Sequence, residues 1–262
     1  MGRIRRPLDV LRINSAFSES YWRVKVVDIT GSTQSDLATK VRSGNSQEGA
    51  VLVAEYQSAG RGRMDRNFVA PRESALLFSF FITPRRKGED WGWLPLVAGL
   101  AVSAAIESEC KADHPTKLKW PNDVLINEKK VAGLLSERVE TPDGPGVIIG
   151  IGINVDMSEE ELPISTATSL TLQGCTQCNR EDLLVGVLQK FDEYLKRWES
   201  HDRELAQEYE VCSATIGQRI RIESPTGRKW ESTATGIDES GGLILETGEI
   251  LSVGDVVHLR ST

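Results

Sequence analysis

A mixed α and β domain followed by a small all-β unit is the fold class that this sequence predicts, from three observations. Continuous apolar runs of strand length recur through the first four fifths of the chain, with the Val, Ile and Phe content of buried strands. Helical periods separate them. After about residue 213 the pattern changes to short strands and turns, QRIRIES, TGRKWESTATGID, ESGGLILET and GEILSVGDVVHL, whose spacing predicts a five-stranded barrel.

Taken in order, residues 1–20 are polar and basic, lack the helical periods of a helix-turn-helix module, and are expected to form a loose arm. Residues 21–212 make the main domain. Its strands are AVLVAEY (50–56), SALLFSFFIT (74–83) and GVIIGIGINV (146–155). Its helices are SDLATKVRSG (35–44), stopped at Gly44, and LPLVAGLAVSAAIESEC (94–110). A third, REDLLVGVLQKFDEYLKRWES (180–200), carries Leu183, Leu184, Val187, Leu188, Phe191, Tyr194, Leu195 and Trp198 on one face. Residues 213–262 make the barrel, either a cap on the main domain or a participant in its chemistry.

Composition narrows the function. At 262 residues, 39% hydrophobic and 26% charged, the chain has ordinary globular make-up. It has no run of about 18 apolar residues and its start resembles no signal peptide, so a cytoplasmic protein without membrane partners is expected. A net charge of −7 argues against a broad nucleic-acid surface. Four cysteines are too few for a disulfide scaffold. Cys175 and Cys178 form one C-x-x-C with no second pair and no nearby histidine, so no metal site is expected. His114, His201 and His258 are scattered, without partners for a nucleophilic relay.

Three stretches interrupt the core strands with polar or glycine-rich sequence. SAGRGRMDRNF (58–68) gathers three arginines on a pliable segment of an acidic chain. It is no dinucleotide fingerprint, since Asp65 stands where a third glycine is needed. KLKWPNDVLINEKKVAGLLSE (117–137) turns at Pro121 and Asn122 between strand-like runs and sets Lys119, Asp123, Lys129 and Lys130 beside apolar segments. GIGIN closes the third. Each alone reads as an ordinary turn; together they read as the lining of a site.

QSAGRGR (57–63), KWPND (119–123), KVAG (130–133) and GIGINV (150–155), in this order and followed by a β-rich tail, resemble the biotin protein ligase family over roughly residues 26–262. The resemblance implies an α+β fold: a mixed β-sheet with flanking helices, related to class II aminoacyl-tRNA synthetases and lipoate ligases, joined to a C-terminal SH3-like β-barrel. It implies that biotin and ATP, with Mg²⁺, form biotinyl-5′-AMP and pyrophosphate, and that the biotinyl group then passes to one lysine of a carboxylase's biotin carboxyl carrier domain. A carboxylate attacking an α-phosphate brings like charges together, which fixed cations must offset. Arg61, Arg63 and Lys130 are their implied sources. Ser32, Thr33 and Gln57 are implied to hold the biotin head group, Gly60, Arg61 and Arg63 to close over the carboxylate and phosphate, and Gly133 to allow close approach to the bicyclic ring. Asn122 and Asn154 fall on the nucleotide side, with the metal carried by the phosphates. Asp123 either orients or deprotonates the acceptor amine, or only fixes its turn.

Two positions depart from the family loop, Asp65 for a glycine and Phe68 for a tryptophan. Phe68 keeps an aromatic anchor. A bifunctional ligase and repressor, with its extra N-terminal residues, is not expected. A lipoate-type ligase and a non-catalytic biotin-binding module are the alternatives, the first disfavoured by the arginine-glycine loop and KWPND, the second by phosphate-facing cations. A monomer or weak homodimer is expected.

Overall fold

In the computed structural model, residues 5–64, 66–175, 177–224, 227–252 and 254–259 are described. Asp65, and with it the expectation about its effect on loop closure, lies outside them.

The main sheet has seven strands in the order β1-β2-β3-β7-β6-β5-β4. They are β1 (Arg23–Thr30), β2 (Ala50–Gln57), β3 (Ala75–Ile82), β4 (Thr116–Lys119), β5 (Asp123–Ile126), β6 (Lys129–Thr141) and β7 (Gly144–Asn154). Only β1 and β2 run parallel; every other pair is antiparallel. The helices are α1 (Val10–Ala16), α2 (Thr33–Arg42), α3 (Leu94–Glu109), α4 (Arg180–Glu199) and α5 (Glu204–Cys212). β3 reads as an unbroken apolar run because both of its faces are covered. Its even-numbered side chains, Leu76, Phe78, Phe80 and Ile82, join Ile149, Ile151 and Ile153 of β7 under α3 and α4. On the opposite face Phe81 and Ile148 pack against Leu37 and Val41 of α2.

The three helices read from the sequence are present, each started by a recognisable device. Ser32 caps α2 and Asn179 caps α4, accepting from Glu181 and Asp182 N–H at 2.9 and 3.1 Å. Pro95 occupies the first turn of α3. Although α3 and the 3₁₀ turn before it (Gly88–Trp93) are apolar and long enough to pass as a membrane span, the stretch is two-thirds buried within the fold.

The expectation of a loose arm over 1–20 is corrected for its described part. Asp9 caps α1, Ile13 is fully buried, and Leu8 and Phe17 join the main core. The tie is electrostatic as well. Glu55 of β2, 3% exposed, pairs with Arg180 at 2.7 Å and accepts the Leu8 N–H at 2.5 Å, while Arg180 donates to the Arg6 carbonyl at 2.6 Å. A buried ion pair needs its remaining hydrogen-bond positions filled, and the N-terminal segment fills them. That partner lies about 170 residues away, so local composition could not announce it.

The C-terminal unit is a five-stranded antiparallel sheet, β11-β10-β9-β8-β12, formed by β8 (Arg219–Glu223), β9 (Lys229–Ile237), β10 (Leu243–Leu245), β11 (Ile250–Leu251) and β12 (Asp255–His258). Two buried indoles fasten it to the main domain. Trp93 and Trp120 donate to the carbonyls of Asp238 and Gly241 at 3.0 and 3.1 Å. Gly92 and Gly241 meet backbone to backbone there, so close that a Cβ on Gly92 would lie 2.3 Å from the Ser240 carbonyl oxygen.

Candidate active site

The strand pleat builds the floor of the site. Pairing across β3, β7, β6 and β5 aligns Leu77, Gly152, Gly133 and Asp123 in one row, with Ser79, Gly150 and Leu135 in the next. Residues in register share a face, so the glycines open a strip down the middle of a sheet that is otherwise filled. Above the strip stand groups from three segments. A Cβ on Gly133 would lie 2.8 Å from Lys130 Nζ, and one on Gly152 would lie 2.7 Å from the Phe68 ring.

Lys130 and Asp123 face each other across the β5–β6 hairpin, Nζ to Oδ1 2.5 Å. Asn127 and Glu128, both at positive φ, make the hairpin turn between them. The Lys130 backbone is held on its other edge too. Its N–H donates to Thr166 O and its carbonyl accepts from Thr168 N–H, both at 2.8 Å. Asn154, 5% exposed, donates to Thr168 O at 2.9 Å and so fixes the same segment.

At the far end of the strip, Gln57 Oε1 accepts from the Thr33 N–H (2.7 Å) and hydroxyl (3.0 Å), and Ser79 Oγ lies 2.8 Å from that hydroxyl. Ser32, 4% exposed, caps the same helix. Next to them Gln34, absent from the sequence reading, presents a buried Oε1 with no partner among the described residues, directed at Gly150. Its neighbours in STQ were visible in the sequence, but its inward direction was not.

The arginine loop is folded back on itself rather than open. Gly60 O accepts from Phe68 N–H at 2.9 Å, Gly62 N–H donates to Arg66 O at 2.7 Å, and a Cβ on Gly60 would lie 2.4 Å from the Phe68 carbonyl oxygen. Its three cations each have a partner. Arg61 donates two bonds to Glu137, at 3.1 and 2.9 Å; Arg63 donates to Gly254 O at 3.1 Å; Arg66 pairs with Asp255 at 2.5 Å. Arg63 thus reaches the C-terminal sheet, and burial lowers its pKa.

Arg63 also lines a cavity of about 340 Å³ between the two sheets, with Trp120, Asn122 and Leu134 on one side and Ser240, Gly241 and Ser252 on the other. Asn122 Nδ2 donates to Leu134 O at 2.6 Å and orients this wall. The structure therefore separates the expected residues into two neighbouring groups. Ser32, Thr33, Gln57, Lys130 and Gly133 surround the glycine strip, while Asn122 and Arg63 open onto the inter-sheet cavity. Arg61 is directed at Glu137 on the rim, and Asn154 lies beneath Lys130. The sequence reading set Lys119 among the charges beside core segments but gave it no role in the site. Half-buried, it has a pKa lowered by burial and by the positive charge of Lys130 and Arg66, against the opposing pull of Asp123 and Asp255. Burial thus disfavours the charge of both Lys119 and Arg63 beside Lys130, and an anionic ligand would relieve that.

A fold of this kind, with a basic rim over a glycine-floored sheet, matches known proteins along its whole length. Residues 26–154 match the Biotin/lipoate A/B protein ligase family and residues 215–259 the Biotin protein ligase C terminal domain. The chain is 38% identical to the Biotin--[acetyl-CoA-carboxylase] ligase of Mycobacterium tuberculosis over 98% of both chains. It is 30% identical to the Bifunctional ligase/repressor BirA of Escherichia coli over 91% of this chain and 74% of the other. The solved biotin protein ligase of Aquifex aeolicus in complex with biotin and ATP superposes with a TM-score of 0.76 at 32% identity, covering 91% of this chain and 99% of that one. The chain belongs to the biotin protein ligase family.

Proposed function

We propose that the protein is an ATP-dependent biotin protein ligase, forming biotinyl-5′-AMP from biotin and ATP and passing the biotinyl group to a lysine of a biotin carboxyl carrier domain. The observation that carries this reading is the Lys130–Asp123 pair over the glycine strip, with Lys119 and Arg63 beside it. A flat bicyclic head group fits a floor without side chains, and a carboxylate at its tail would reach Lys130. Thr33, Gln57 and Ser79 form a polar end wall whose donors and acceptors can be shared with a ureido group, and the unpaired Gln34 Oε1 is one further acceptor.

ATP takes the inter-sheet cavity in this reading, between Trp120, Asn122 and the Ser240–Gly242 turn. MgATP is the substrate. The metal is carried by the phosphates in this reading. Biotin's carboxylate oxygen attacks the α-phosphorus and pyrophosphate leaves. Lys130, with Arg61 and Arg63 once drawn from Glu137 and Gly254, faces the charge that builds on the phosphoryl oxygens. As Lys130 turns to the phosphate, Asp123 is released from its ion pair. It can then accept a proton from the acceptor amine, which is protonated at neutral pH until a base takes it. The acceptor in this reading is the carrier domain of an acyl-CoA carboxylase, and no nucleic acid or membrane takes part.

The test is direct. The protein is incubated with biotin, MgATP and a purified carrier domain, and intact mass is recorded alongside pyrophosphate release. The reading requires one added biotinyl group on the carrier and no product with lipoate in place of biotin. Pyrophosphate release without transfer to any carrier domain would refute the second half, and no release at all the first.

A further inference from the structure

Outside the active site, the fold assembles three thiols that sequence spacing kept apart. Cys110 lies 65 residues before Cys175, yet the Sγ atoms of Cys110, Cys175 and Cys178 all stand within 4.8 Å of one another. None is in a disulfide. The expectation that Cys175-x-x-Cys178 has no further ligand was an argument from linear spacing, and the fold brings Cys110 beside the pair.

The backbones of Cys110 and Cys175 are fixed. Cys110 ends α3, its N–H bonded to Ile106 O at 2.8 Å. Cys175 follows a 3₁₀ turn closed by Gly174 at φ +84°, and its N–H donates to Leu170 O at 3.0 Å. Cys110 and Cys175 are buried at 4% exposure each, and Cys178 is half-buried at the edge, so the pocket has one side open to an incoming ion. A tetrahedral zinc site with bonds of about 2.3 Å needs sulfur atoms about 3.8 Å apart. Side-chain rotations that move the sulfur atoms by at most about 1 Å close the difference.

We propose that Cys110, Cys175 and Cys178 form a three-thiolate site for a thiophilic metal ion of the zinc type, which clamps the end of α3 to the segment before α4. Binding releases three S–H protons to solvent and forms three S–M bonds, leaving a fourth position to water. The clamp is wired to the active site through hydrogen bonds already named. Leu170 accepts from Cys175 and donates to Asn154 O at 2.9 Å, Asn154 holds Thr168, and Thr168 and Thr166 hold Lys130. An ion there would stiffen the wall behind Lys130 without touching substrate.

The experiment uses the full chain, reduced and stripped of metal with a chelator, and titrated with Co(II) and then Zn(II). One Co(II) per chain should give a sulfur-to-cobalt charge-transfer band, which one equivalent of Zn(II) abolishes, and Zn(II) should raise the Tm by several degrees. Cys178→Ser, at the half-buried edge, should keep the fold, judged by its circular dichroism, and weaken Co(II) binding by about 100-fold or more. Cys110→Ser should act alike. Cys212→Ser, outside the cluster, should change nothing. Absence of the charge-transfer band, its survival in Cys178→Ser, or a purified protein two mass units light through a Cys175–Cys178 or Cys110 disulfide would each overturn the site. These readouts do not depend on ligase activity.

Discussion

The glycine strip of the main sheet and the arginine loop above it are built on opposite terms. The strip is part of an unbroken ladder. Gly133, Gly150 and Gly152 are paired on both sides, and the residues behind them are fully buried, so their positions are set by packing. The loop is held by polar contacts at the surface. Arg61 and Arg66 have 46% and 70% exposed side chains, and such exposed pairs are each worth about 0–1 kcal/mol. A charge-assisted bond to a phosphate or carboxylate in a desolvated site is worth about 1.5–3 kcal/mol. The loop can therefore exchange Glu137, Gly254 and Asp255 for an anionic intermediate, while the floor cannot move. In the proposed reaction the rigid half positions the reacting groups and the exchangeable half encloses them.

The sharpest break of this contrast is at Lys130. Lys130→Ala should lower the rate of adenylate formation by about 10²–10³, equivalent to about 2.7–4 kcal/mol of transition-state stabilisation, while the Tm moves little because the side chain fills no core. Pyrophosphate release measures it, and a normal rate would remove Lys130 from the chemistry. Next is the floor. Gly152→Ala puts a Cβ 2.7 Å from the Phe68 ring, and overpacking of this kind costs about 1–3 kcal/mol. Biotin affinity should fall about tenfold or more by calorimetry, and an unchanged affinity would place biotin elsewhere.

The join between the sheets gives a smaller, pH-dependent effect. Thr215 links His258 Nε2 (3.1 Å) to Trp120 N–H (3.1 Å), and burial, helped by the charge of Lys119, pushes His258 down to about 4. The folded state holds this imidazole neutral, whereas the unfolded state protonates it near 6.5. Its contribution is intact above pH 6.5 and is lost as the pH falls towards 4. The Tm should therefore drop between pH 7 and 5, and His258→Gln should flatten part of that slope. Equal slopes in the two proteins would locate the acid sensitivity in other groups.

The smallest effect belongs to the loop's outermost tie. Asp255→Asn removes an exposed pair, so trypsin should cut the ligand-free loop no more than about fivefold faster. Saturating biotin with MgATP should protect both proteins equally. If the variant is cut at the wild-type rate without ligand, Asp255 does not hold the loop closed.

How much of this was legible follows from where each signal resides. The strand at 146–155, the helix at 180–200 and the five C-terminal strands announce themselves through periodicity, which is a local property of the chain. The order GRGR, KWPND, KVAG, GIGINV likewise marked the site, because glycine and charge inside core strands are conspicuous in one dimension. The ordered N-terminal segment was not legible, since its polar composition hides an attachment to Glu55 and Arg180. Gln34 went unnamed and Lys119 was named without a role, because burial and direction, not residue type, bring them to the candidate site.

The sequence by itself determined which segments become strands and helices, that a small β-unit follows a mixed domain, and which segments break the core strands with glycine and charge, because apolar period and side-chain type act over a few residues. Tertiary structure alone decided the rest. Sheet order brought Gly133 beside Gly152, set Lys130 on Asp123, stretched Arg63 to the second sheet and drew Cys110 to Cys175 and Cys178. Those contacts span from seven residues, across the β5–β6 hairpin, to nearly two hundred, and what fixes them is the burial of one shared core, a property no window of sequence contains.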